Sequence, residues 1–242
     1  MMTGAADQPT DELSRRAATG NPDFRAGSRR YPAGVLALPS PAETRRRLPR
    51  LLVGLVLCGL GIALTVEADL GLGPWDVLHQ GVAERTGLAI GVVTILTGVV
   101  VLLAWIPLRE RPGLGSVCNV VIIGLVVDLA LLVLPTPDGA VRWAFLVVGV
   151  FLFGPGSGLY IGARLGPGPR DGLMTGIARR GHSVRVVRTG IELSALAVGF
   201  VLGGSVGVGT LLFAFSIGPN VHYWLDRLGM DEPVPVPVTG AP

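Results

Sequence analysis

The chain has 242 residues, of which 50% are hydrophobic and only 15% are charged. A soluble domain of this size carries about a quarter charged residues, so the composition speaks against a soluble enzyme. The formal net charge of +3 is too small for a nucleic-acid binder, and every one of the 20 basic residues is Arg.

In chain order, residues 1–47 read as a polar tail rich in Arg, Asp and Pro, with no secretory apolar segment, and are expected to be disordered. Long uncharged runs follow, among them Leu51 to Val66, Thr86 to Leu108, Pro112 to Val127 and Trp143 to Ala163. A bilayer core of about 30 Å needs roughly 20 helical residues. The run from Leu193 to Leu225, broken by Gly203-Gly204-Ser205-Val206-Gly207, therefore reads as two spans joined by a turn. The expected architecture is an all-α polytopic membrane domain over 48–228, with six spans near 48–67, 88–106, 114–134, 143–163, 185–203 and 208–226. Residues 229–242, with their Pro-Val alternation, read as a flexible tail.

Charge in the connections orients these spans. Arg45, Arg46, Arg47 and Arg50 precede the first span, Arg109 and Arg111 follow the second, and Arg164, Arg170, Arg179 and Arg180 follow the fourth. All fall on one face, which the positive-inside rule makes cytoplasmic, with both termini on that side. The expected location is the bacterial inner (plasma) membrane.

Self-comparison reveals a repeat. Residues 54–85 set against 149–180, an offset of 95, give 15 identities in 32 positions, and beyond a one-residue deletion the offset becomes 94. Repeat one covers about 50–134 and repeat two about 143–228. Three spans per repeat, an odd number, would turn the second copy over in the membrane, an arrangement that recurs in secondary transporters.

Each copy contains a Gly-x-Gly-Pro-x-Asp element: Gly73, Pro74 and Asp76 in the first, Gly168, Pro169 and Asp171 in the second. Pro suits the first helical position, and Asp in the first turn complements the positive helix end. Each element is expected to open a short re-entrant or interfacial half-helix, and the two could meet at the repeat interface to form a solute site. The alternative is that each Asp only caps its own short helix. Asp128, Arg188 and Glu192 are further ionisable residues at membrane depth, where a charge costs at least a few kcal/mol and needs a partner or a cavity. Arg188 and Glu192, four apart, could equally form an ion pair with each other. Asn119 and Asn220 are expected to bond between helices. Gly154-Pro155-Gly156-Ser157-Gly158 interrupts the fourth span, for close packing or as a hinge.

Cys58 and Cys118 are too few for a disulfide framework or zinc site, and no metal or cofactor is expected. His79, His182 and His222 are scattered, and no catalytic motif is evident, so the protein is not expected to be an enzyme.

The segment Ala68-Asp69-Leu70-Gly71-Leu72-Gly73-Pro74-Trp75-Asp76-Val77-Leu78 resembles the signature of the YczE/YyaS/YitT family of bacterial integral membrane proteins. Gly203-Gly204-Ser205-Val206-Gly207-Val208-Gly209-Thr210 with Ile217-Gly218-Pro219 adds to it, and the likeness is to the YczE-like branch over about residues 50–226. The resemblance implies a polytopic protein and no particular chemistry. Two functions remain open: a small secondary transporter or permease for a small molecule or ion, and a non-transporting accessory or assembly protein that packs against partner helices. The expected surroundings are the lipid bilayer, with a homo-oligomer or a membrane partner protein open and nucleic acid excluded.

Overall fold

The computed structural model describes residues 40–228, and every regular element among them is helical. In order these are α1 (Pro41–Ala68), α2 (Pro74–Thr86), α3 (Ile90–Leu108), α4 (Leu114–Leu131), α5 (Ala140–Gly162), α6 (Pro169–Ala178), α7 (Val184–Leu202) and α8 (Val208–Leu228). Of the two expected tails, residues 1–39 and 229–242 lie outside the described residues.

Helix α1 starts at Pro41 rather than near residue 48, so residues 41–47 are helix and not tail. The reason is a capping box: Ser40 Oγ accepts from Glu43 N (3.2 Å), and Glu43 Oε2 accepts from Ser40 N (3.1 Å). The charged Arg45–Arg47 stretch cannot be an apolar span, but nothing in it prevents helix.

Four helices, α1, α3, α4 and α5, are long and apolar enough to cross a membrane. Helices α7 and α8 are of similar length but more polar, carrying Arg185, Arg188 and Glu192 in one and Pro219, Asn220 and His222 in the other. Helices α2 and α6, of 13 and 10 residues, extend only about 20 and 15 Å at 1.5 Å per residue, short of a bilayer core. The protein is a multi-pass membrane protein.

The backbone repeats with the sequence. Left-handed residues occur at Asp69 and Arg164, Gly71 and Gly166, Gly87 and Gly181, and Arg109 and Gly203, each a pair separated by 95 or 94 positions. Gly139, in the connection between the two copies, is the one left-handed described residue without such a mate.

Helices α1 and α5 cross at the centre, and glycine sets how closely. A Cβ on Gly54 would lie 2.7 Å from Gly156 O, and one on Gly61 would lie 2.8 Å from Gly149 O. These two contacts are exchanged by the repeat offset, so the crossing has internal two-fold character. Helix α5 runs on through Pro155, with Gly154 and Gly156 buried, as close packing requires. Around this pair, α4 packs on α1 as α8 packs on α5, and α7 packs on α2 as α3 packs on α6.

One equivalence fails. Helices α3 and α4 pack tightly, Gly91 against Gly124 and Gly98 against Val120, whereas α7 and α8 do not form a packed pair. In the second copy Arg185 and Glu192 stand at the positions of Gly91 and Gly98, so the close glycine contacts of the first copy have no counterpart there. Gly218, the counterpart of Gly124, has nothing within 4 Å of where a Cβ would be.

Candidate functional site

The two half-helices begin alike. Gly73 (φ −63°, ψ 155°) and Gly168 (φ −61°, ψ 155°) are extended N-caps, and Pro74 and Pro169 open the helices. The preceding loops are strapped equivalently: Gly115 N donates to Leu165 O (2.8 Å), and Gly209 N donates to Leu70 O (2.7 Å). Ser116 Oγ donates to Pro167 O (2.7 Å) and Trp105 Nε1 to Pro169 O (3.0 Å), which tie the second loop further. Each loop is thereby anchored on helices of the other copy.

Their side chains meet. Arg170 Cζ sits 4.8 Å from the Trp75 ring centroid, within cation–π range. Arg170 Nη2 is also 3.8 Å from Asp76 Oδ1. Asp76 is 2% exposed, and His79, one turn along α2, is equally buried with its Nδ1 3.5 Å from Asp76 Oδ1. His79 Nδ1 is 3.2 Å from Thr94 Oγ1, which itself bonds to Ile90 O at 2.9 Å. The single Thr94 hydroxyl proton can serve only one of these two contacts, so when it is on Ile90 O the donor to Thr94 is His79 Nδ1. Asp76 Oδ1 and Trp75 Nε1 are two of the four buried side-chain polar atoms among the described residues with no hydrogen-bond partner, the others being Arg50 Nε and Glu110 Oε1 elsewhere, and such adjacent unpaired groups are costly.

Asp171 is exposed, and its Oδ2 accepts from Tyr160 OH (3.2 Å) on α5. The charges of Arg188, Arg170 and Glu192 all act on it. Arg188 Nε bonds Glu192 Oε1 at 2.9 Å, the helical ion pair that their spacing allows. The site therefore grades from buried Asp76, through Arg170 with a side chain one-third exposed, to Asp171, exposed as a residue with its carboxyl packed against the Tyr160 hydroxyl. An open apolar groove of about 490 Å³ runs along α7 beside it, lined by Trp75, Leu78, Ile177, Ile191 and Ala195 among others.

Of the sequence candidates, Asp76 lies against Arg170 and Asp171 follows Arg170 on α6, with the charges of Arg188 and Glu192 acting on Asp171. Gly73, Pro74, Gly168 and Pro169 shape the starts of the two half-helices. Asp128 does not join them: its Oδ1 accepts from Gly91 N (2.6 Å) and caps the start of α3. Asn220 Nδ2 donates to Phe151 O (3.1 Å), an interhelical bond. Sequence reasoning missed Trp75, His79, Thr94, Tyr160 and Arg170 as site residues. The available signal was that Trp75 and Arg170 are the same position of the repeated Gly-Pro-x-Asp. Among the described residues, no group of three or more His, Cys, Asp or Glu could hold a metal ion.

Three relatives extend over most of the chain. An uncharacterized protein of Haemophilus influenzae is 42% identical over 187 residues, 76% of this chain and 86% of the relative. The uncharacterized membrane protein YczE of Bacillus subtilis is 36% identical, covering 72% of this chain and 83% of its own. The uncharacterized protein YyaS of the same organism is 28% identical, covering 72% and 89%. No solved structure matches. The model of a family of unknown function, DUF6198, matches residues 45–226, through both Gly-Pro-x-Asp elements and all eight described helices, and the chain belongs to that family.

Proposed function

We propose that the protein is a small secondary transporter or permease, non-enzymatic, built from two inverted repeats of three spans in the bacterial plasma membrane with both termini cytoplasmic. The single observation that carries this reading is the convergence of both broken elements on one charged cluster: Arg170 against Asp76, with Asp171 beside it. Helices too short to cross, whose first turns meet in the interior, are how inverted-repeat transporters present a midplane site.

The two aspartates add support. Asp76 and Asp171 are equivalent in the repeat, yet one is buried and the other exposed. Exchange of these two environments is what alternating access requires of a symmetric pair, and in the proposed topology the open side is cytoplasmic. Substrate flux into proteoliposomes, followed label-free by osmotic volume recovery across a panel of small solutes, tests the reading. Asp76→Asn and Asp171→Asn should each abolish recovery for the transported solute. Recovery equal to that of protein-free vesicles for every solute would sink it.

A role as an accessory protein draws on a different observation, the unpacked faces of α7 and α8. In that reading partner helices or a second copy supply the missing packing. A stoichiometric membrane partner retained through purification, in protein inactive for flux, would favour it.

A further inference from the structure

Resting on the transporter reading, we propose that the solute is a small organic cation, of the ammonium or guanidinium class, and that Arg170 is a tethered stand-in for it. An aromatic face beside a buried carboxylate is the chemistry that recognises such cations, and Trp75 and Asp76 supply both. Asp76 is 2% exposed, and its Oδ1 has no hydrogen-bond partner among the described residues. It faces His79 at 3.5 Å and Arg170 at 3.8 Å, contacts too long to be hydrogen bonds.

Arg170 is an odd residue for its position. It is the second residue of α6, where the helix dipole disfavours a cation, and the repeat places Trp there in the other copy. Local conflicts of this kind concentrate at functional sites. Its guanidinium covers the Trp75 ring and lies 3.8 Å from Asp76 Oδ1, a charge contact too long for a hydrogen bond, and its side chain is one-third exposed. A solute cation entering past Asp171 can therefore take the place over Trp75 and donate to Asp76 Oδ1, while Arg170 swings toward Asp171. When the solute leaves, Arg170 returns. A buried carboxylate without a counter-ion is costly in a membrane interior, so this exchange keeps the charge of Asp76 matched with and without solute.

The test is thermal stabilisation of the detergent-purified full chain by methylammonium and methylguanidinium chloride, with sodium succinate and sodium chloride as controls. Both cations should stabilise the wild type. Arg170→Gln removes the tethered competitor and should tighten their apparent affinity by about tenfold, a gain that a misfolded variant cannot mimic. In the Arg170→Gln background, Trp75→Leu should weaken binding by roughly threefold or more, and Asp76→Asn should abolish it. No cation effect in Arg170→Gln, or an effect indifferent to Asp76→Asn, overturns the proposal. Stabilisation by succinate alone overturns the cation class while leaving the transporter reading intact. Cation binding of the expected pattern without vesicle flux would do the reverse.

Discussion

The guanidinium of Arg170 stacks 4.8 Å from the centre of the Trp75 ring, and the two residues occupy the same position of the two repeats. The internal axis that relates the α1–α5 contacts brings these positions together. Two arginines there would repel, whereas one ring and one cation attract. Divergence between the copies has made the meeting point stable as well as asymmetric.

That contact has a measurable strength. Trp75→Leu should lower the unfolding midpoint, by an amount corresponding to about 0.5–2 kcal/mol, and Trp75→Arg should lower it further by placing two guanidinium groups together. Thermal unfolding in mild detergent reads both. Equal effects of the two substitutions would argue against charge at the contact.

The α1–α5 crossing predicts a size limit at its glycines. Gly54→Ala and Gly61→Ala meet backbone oxygens at 2.7 and 2.8 Å, and each should cost about 1–3 kcal/mol. Gly190→Ala, in α7 with nothing within 4 Å, should be neutral or slightly stabilising, since Ala is the better helix former. Buried Cys58 provides the readout: its labelling by a maleimide should accelerate in Gly54→Ala and Gly61→Ala and stay slow in Gly190→Ala.

A third expectation concerns the seat of α6. The Trp105 ring lies against the Cα of Gly172, leaving no room for a Cβ, while its Nε1 holds Pro169 O. Gly172→Ala should therefore be destabilising alone. Combined with Trp105→Phe it should cost less than the sum of the single changes, with a coupling of about 0.5–3 kcal/mol. Strict additivity in a double-mutant cycle would contradict the packing described.

Membrane topology separates inverted from parallel repeats. Leu88 and His182 are equivalent and both exposed. With the native cysteines replaced, Leu88→Cys should react with an impermeant thiol reagent from the outside of intact cells, and His182→Cys only after the inner face is exposed. Reaction of both from the same side would refute the inverted arrangement.

The helices of the membrane domain are legible in the sequence because apolar run length is a local property, and four of them are long and apolar enough to cross a membrane. Five of the helices expected there agree with the structure to within about three residues at each end. The start of α1 is not, since a capping box at Ser40 extends helix into a charged stretch that hydropathy reads as tail. The Gly-Pro-x-Asp elements are likewise visible, as both helix starts and a repeated pair. Their function is less so: Asp128 looks like a membrane-depth charge until its carboxylate is found capping α3.

The sequence by itself determined that this is a charge-poor helical membrane chain, written twice, with glycine and proline punctuation at matched positions. Composition, run length and internal self-similarity need no knowledge of what touches what. Only the tertiary structure decided that Arg170 lies over Trp75 and against Asp76, that the two equivalent aspartates differ in exposure, and that α7 and α8 stand apart where α3 and α4 close. Those outcomes depend on side chains distant in sequence competing for the same few ångströms.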